Sequence, residues 1–134
     1  MAISAPEAIP LRSDQDVVRA RHHVRQLAVD ARLRLIDQTK LVTAVSELAR
    51  NTVVHGGGGE MTAGMADQNG RIGVWARFAD AGPGIPDLDQ ALGEGYSTGS
   101  GLGLGLGGAR RLVDEFEVQT TPGEGTTIRV VRWR

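Results

Sequence analysis

Residues 99–108 read Gly-Ser-Gly-Leu-Gly-Leu-Gly-Leu-Gly-Gly and run straight into Ala109-Arg110-Arg111-Leu112-Val113-Asp114-Glu115-Phe116. Glycine at alternate positions lets a backbone approach a ligand closely and adopt conformations closed to other residues. The amphipathic helix predicted next, over about 102–115, turns its unpaired N–H groups and positive dipole end toward an anion. The stretch therefore reads as a phosphate-binding loop. It is not a Walker loop, since no Gly-Lys-Ser/Thr follows. Gly103 to Gly108 meets the G-x-G-x-x-G spacing, but no strand precedes it, and a flexible lid or low-complexity loop is the plain alternative. The alternating Leu102, Leu104 and Leu106 argue against a mere linker, because they need burial.

Outward from the loop, the chain alternates helical and strand patterns. A short edge strand is expected at 8–11, where Pro10 is tolerable only at an edge. Ser13-Asp14-Gln15-Asp16 has the form of a capping box. It opens a helix to about Ala31 with Val17, Val18, Val24, Leu27 and Ala28 as its apolar stripe. A second helix is predicted over 37–54, carried by Leu41, Ala44, Val45, Leu48 and Thr52, with Gly56–Gly59 as its glycine stop. Strands at 60–65 and 71–79 flank the turn signal Asp67-Gln68-Asn69-Gly70. One helical turn is expected near 88–92 inside a Gly/Pro-rich stretch. Two closing strands at 117–121 and 126–133 surround Pro122-Gly123-Glu124-Gly125. The order is strand, two helices, two strands, loop, helix, two strands. It implies an α+β fold, with one mixed sheet and helices on one face.

Composition narrows the function. A chain of 134 residues suits one domain with its own core, and its 40% apolar content is ordinary for a globular protein. It has no cysteine, which excludes disulfides and thiolate metal sites. A net charge of −1 argues against a nucleic-acid binder. No apolar run nears the roughly 20 residues that span a bilayer. The N-terminus lacks the pattern of a secretory signal, so a cytoplasmic location is the simplest expectation. Lys40 is the only lysine, and arginines crowd the first helix. That helix face is either plain solvated charge or a docking face for an acidic protein.

Three further stretches carry chemistry. Glu47 and Asn51 are spaced i, i+4 and fall at the edge of the second helix's buried stripe. A carboxylate and an amide there suit a base and a Mg²⁺ ligand, because Mg²⁺ takes oxygen ligands shared with phosphates; polar border residues are the alternative. Asp80 in Asp80-Ala81-Gly82-Pro83-Gly84-Ile85 continues the parity of Ile72, Val74, Ala76 and Phe78. It therefore points to the apolar, helix-covered side, where a carboxylate needs a donor such as the amino group of adenine. Gly82 and Gly84 leave room for a flat base. The alternative is a Gly-Pro turn in which Asp80 accepts local N–H groups. Gly125-Thr126-Thr127 opens the last strand, where one hydroxyl can reach a base or both threonines can simply favour a strand. No histidine has metal-ligand spacing to another ligand.

In this order, Glu-x-x-x-Asn on a helix, Asp-x-Gly-x-Gly after a strand, Gly-x-Gly-x-Gly into a helix and Gly-Thr before a strand resemble the GHKL superfamily. The resemblance covers nearly the whole chain, from about Ile9 to Trp133. It implies the two-layer Bergerat ATP-binding sandwich. The chain is too short for a complete histidine kinase or a two-domain chaperone, gyrase or mismatch-repair ATPase, which leaves bacterial anti-sigma factors and serine/threonine switch kinases. Ser46-Glu47-Leu48-Ala49-Arg50-Asn51, Glu94-Gly95-Tyr96-Ser97-Thr98 and the regular glycine box are most similar to switch kinases of the RsbT type. The resemblance implies that Glu47 orients or deprotonates the attacking hydroxyl and Asn51 holds Mg²⁺. Asp80, with Gly82, Gly84 and Ile85, would bind adenine, supported by Thr126 or Thr127. Gly101, Leu102, Gly103, Leu104 and Gly105 would wrap the phosphates of ATP. It further implies a STAS-domain antagonist as substrate, a PPM-type phosphatase as the next partner, and neither nucleic acid nor membrane. An anti-sigma factor that captures a sigma subunit, and a nucleotide-gated adaptor without transfer activity, are the rival expectations. Gly107 and His55 depart from the switch-kinase pattern, which commonly has proline and an aromatic residue there.

Overall fold

Alternation along the central strand sets the architecture. In the computed structural model, which describes residues 7–85, 92 and 105–134, the chain runs β1 (Glu7–Leu11), α1 (Asp14–Asp30), α2 (Leu35–Val54), β2 (Gly59–Gln68), β3 (Arg71–Asp80), α3 (Gly105–Arg111), β4 (Glu115–Thr121) and β5 (Gly125–Trp133). Val74, Ala76 and Phe78 of β3 face the helices, level with Met61 and Ala63 of β2 and with Ile128 and Val130 of β5. Val17, Ala20, Val24 and Ala28 of α1 and Leu41, Ala44, Val45 and Leu48 of α2 close the same core. The expected α+β sandwich with helices on one face is what forms.

The sheet order is β1-β2-β3-β5-β4. All four pairings are antiparallel, which corrects the expectation of a mixed sheet. Two connections explain it. The α1–α2 hairpin returns the chain to the end it left, so Leu11 lies opposite Gly59. The crossover through α3 does run β4 in the direction of β3, but β5 inserts between them and pairs with both. A parallel neighbour is never made.

Local signals are met with small shifts. Ser13 is the N-cap of α1, yet its side chain makes no capping bond; the Asp16 carboxylate accepts the Arg12 N–H instead, at 2.8 Å. The Asn69-Gly70 turn closes on the Gln68–Arg71 pair with both residues at positive φ, +57° and +84°, the primed hairpin geometry that a two-residue loop favours. The third helix ends at Arg111, not near Glu115. The sheet captures the chain there: the Asp114 N–H donates to Val131 O at 2.8 Å, and the Asp114 carboxylate accepts the Trp133 N–H at 2.7 Å. The predicted start of that helix at 102–104, and the turn near 88–92 apart from Leu92, lie outside the described residues.

Candidate functional site

The C-terminal half of α2 carries the first two candidate residues. Glu47 is only 5% exposed. Arg50, three residues on, brings Nη1 to 3.6 Å from its Oε1, near enough to balance charge but too long for a good hydrogen bond. The carboxylate keeps its acceptor capacity. Asn51 follows one turn later, half-buried. Among the described residues its side-chain amide has no hydrogen-bond partner, while its carbonyl accepts the N–H groups of His55 (2.8 Å) and Gly56 (3.1 Å). Leu48 and Thr52, on the inner side, are buried, and the Thr52 hydroxyl donates to Leu48 O at 3.0 Å. The helix thus sets Glu47 and Asn51 at the border of its core face, as their spacing requires.

The end of α2 presses on the end of β3. A Cβ at Gly56 would stand 2.5 Å from the Asp80 carboxyl carbon, and one at Gly82 would stand 2.6 Å from Gly56 O. At Gly82 the neighbour is backbone and excludes a side chain, whereas one at Gly56 would have to displace the Asp80 side chain. Asp80 keeps the parity of the buried residues and lies directly across from Thr126 on β5. Its Oδ1 accepts the Gly82 N–H at 2.9 Å, so the local turn is present. Its Oδ2 meets no donor among the described residues.

The rest of the loop is stitched to the β4–β5 hairpin. The Ile85 N–H donates to Thr120 Oγ1 at 2.9 Å, Thr120 and Thr126 share a hydroxyl contact of 3.0 Å, and the Gly123 N–H donates to Pro83 O at 2.7 Å. Gly84 at φ +78° fits against Thr121 O, where a Cβ would come within 2.7 Å. Of the two threonines, the structure brings Thr126 to the site. Thr127 lies opposite Ala79 and alternates to the other face of the sheet from Asp80. Gly105, at φ +60°, opens α3, which packs against α2. Gly101, Leu102, Gly103 and Leu104 lie outside the described residues.

Two participants were not singled out from the sequence. Gly56 reads there only as a helix stop, although four glycines where one suffices was a usable signal. Thr120 reads as an ordinary strand residue; only the β4–β5 register, Thr120 opposite Thr126, shows that it ties the loop to the sheet. Among the described residues no group of three His, Asp, Glu or Cys side chains could hold a metal, and no helix is long and apolar enough to cross a membrane.

Residues 36–134 match the family described as Histidine kinase-, DNA gyrase B-, and HSP90-like ATPase. The chain is 38% identical over 125 residues to the serine/threonine-protein kinase RsbT of Bacillus subtilis, covering 93% of this chain and 94% of that one. It is 28% identical over 129 residues to the anti-sigma F factor of Thermoanaerobacter sp. strain X514, covering 92% and 89%. The fold is shared with the crystal structure of the RsbU and RsbW domains of a Mycobacterium tuberculosis protein. There the TM-score is 0.67 at 23% identity, over 98% of this chain and 33% of that one. The helix-borne Glu47 and Asn51, the Asp80 turn and the antiparallel sheet thus belong to a chain of the Histidine kinase-, DNA gyrase B-, and HSP90-like ATPase family, in its branch of RsbT-like serine/threonine-protein kinases.

Proposed function

We propose that the protein is the kinase of a partner-switching system, a single ATP-binding domain working in the cytoplasm. It transfers the γ-phosphate of ATP to a serine or threonine of a STAS-domain antagonist and, once released, binds and activates a PPM-type phosphatase. The observation that carries the reading is Glu47. A carboxylate at 5% exposure is costly unless it is paired or used. Among the described residues this one has only a distant arginine, and the Asn51 amide one turn on has no partner.

The described residues fit ATP and Mg²⁺. Bound Mg-ATP supplies the phosphoryl group and neutralises its charge, and positioning accounts for most of the rate in such transfers. Asp80 Oδ2 is free to accept the adenine amino group, with the Gly56–Gly82 contact, Gly84 and Ile85 shaping the wall beside the base. Thr126 supports that wall through Thr120. Asn51 holds Mg²⁺, and Glu47 orients or deprotonates the attacking hydroxyl. The resemblance assigns the phosphates to the glycine run 101–105, with Leu102 and Leu104, of which 101–104 lie outside the described residues.

The reading is tested by incubating the protein with Mg-ATP and a STAS-domain protein from the same genome. Glu47→Ala is expected to lower phosphotransfer at least a hundredfold and leave nucleotide affinity unchanged. Transfer at the native rate would remove Glu47 as the base. The likeness to anti-sigma F factors supports a second reading, in which a sigma subunit is captured and its antagonist phosphorylated. A pull-down that recovers a sigma subunit, and neither a STAS protein nor a phosphatase, favours that one.

A further inference from the structure

At the opposite end of α2 from Glu47 and Asp80, the corner between α1 and α2 exposes an unusual set of side chains. Val29, Leu35 and Ile36 are 49%, 71% and 58% exposed, within eight residues of one another. Arg32 sits between them. α1 closes there with paired N–H bonds, from Arg32 to Val29 O and from Leu33 to Ala28 O, both at 3.0 Å. This closure places one residue in the left-handed region, where glycine is usual. Arg32 occupies it, at φ +62°, and pays a steric penalty that glycine would avoid.

The electrostatics point the same way. Arg25, one helical turn before Val29, and Arg32 have no ion-pair partner among the described residues. Of the nearby carboxylates, Asp37 is buried between Arg34 and Arg132, while Asp30 is exposed and accepts only from the neutral Gln26 amide. What remains exposed is apolar and predominantly basic, Arg25, Arg32 and Arg34 against the single carboxylate of Asp30.

We propose that this corner is a docking surface for an acidic amphipathic segment of a partner protein. The segment's apolar side chains seat on Val29, Leu35 and Ile36, and its carboxylates meet Arg25 and Arg32. Three side chains at a helix corner are too few for a membrane anchor. A chain of net charge −1 has no long-range pull on a polyanion. The 20 residues of α2 set the corner about 30 Å from the Asp80 end, so the partner and a nucleotide can be held together. The inference stands independently of the proposed kinase activity.

The test is selection against the full chain from a displayed library of amphipathic helices that differ in the charge of their polar positions. The proposal expects acidic helices to be enriched and their binding to weaken with salt. It also expects at least tenfold weaker binding to Leu35→Ser with Ile36→Ser, and to Arg32→Gly. Arg32→Gly relaxes the backbone, so its melting temperature holds or rises and lost binding cannot be lost folding. Enrichment of basic or neutral helices, absence of enrichment, or undiminished binding to both variants overturns the proposal. So does co-sedimentation with phosphatidylglycerol vesicles, or self-association, that the Leu35/Ile36 variant abolishes, since either gives the surface a different occupant.

Discussion

Asp80 has two carboxylate oxygens, and the described residues use one. Oδ1 fixes the turn by accepting the Gly82 N–H at 2.9 Å, while Oδ2, beside Gly56, meets no donor among the described residues. Asp80→Asn keeps an oxygen for Gly82 and loses the charge. Nucleotide affinity measured by calorimetry is expected to fall by about 1.5–3 kcal/mol, the worth of one charge-assisted bond, with the melting temperature little changed. Affinity equal to that of the native protein would take Asp80 out of the nucleotide site.

The element that aims Asp80 is the β2–β3 hairpin. Its register runs unbroken from Gln68–Arg71 to Gly59–Asp80, so the turn at one end decides which face Asp80 occupies at the other. A slip of one residue would move Val74, Ala76, Phe78 and Asp80 together to the open face. Gly70 holds the turn at φ +84° with nothing within 4 Å of an added Cβ. The cost of Gly70→Ala is therefore purely conformational, and urea unfolding should show about 1–2 kcal/mol of lost stability. No loss would mean that the turn relaxes without strain. Helix α3 teaches the converse: its apolar pattern continues to Phe116, but sheet hydrogen bonds at Asp114 end it early.

Across the whole molecule, one ion cluster ties the layers together far from the Asp80 end. Arg132 on β5 brings Nη2 to 2.5 Å from Asp37 Oδ1 and Nη1 to 3.4 Å from Leu112 O, after α3; Arg34 holds Asp37 Oδ2 at 3.0 Å. The hydrogen bond from Arg132 holds the Asp37 carboxyl below its ordinary value, against the opposing effect of burial and with help from Arg34. A depressed folded-state pKa contributes stability that is complete above the ordinary aspartate range, near about 3.9. That stability is lost as pH falls through the lower folded value. Asp37→Asn, which leaves Arg132 with only the Asp114 carboxylate at 3.8 Å, is expected to cost about 3 kcal/mol at neutral pH. The gap between variant and native protein should shrink as pH drops below about 4, as measured by urea unfolding at stepped pH. A gap independent of pH would show that packing, not charge, makes the clasp.

The sequence by itself determined the elements and the parity of their residues. The helix stripes, the Asn69-Gly70 turn and the alternation that sends Asp80 inward are local consequences of backbone geometry and side-chain size. So is the i, i+4 pairing of Glu47 with Asn51. What only the tertiary structure decided depends on contacts between segments distant in sequence, which no local pattern encodes. The insertion of β5 between β3 and β4 makes the sheet wholly antiparallel and selects Thr126 over Thr127. The packing of α2 onto β3 turns Gly56 from a helix stop into a wall against Asp80. The α1–α2 corner is likewise visible only once folding has buried the neighbours of Leu35 and Ile36 and left these two outside.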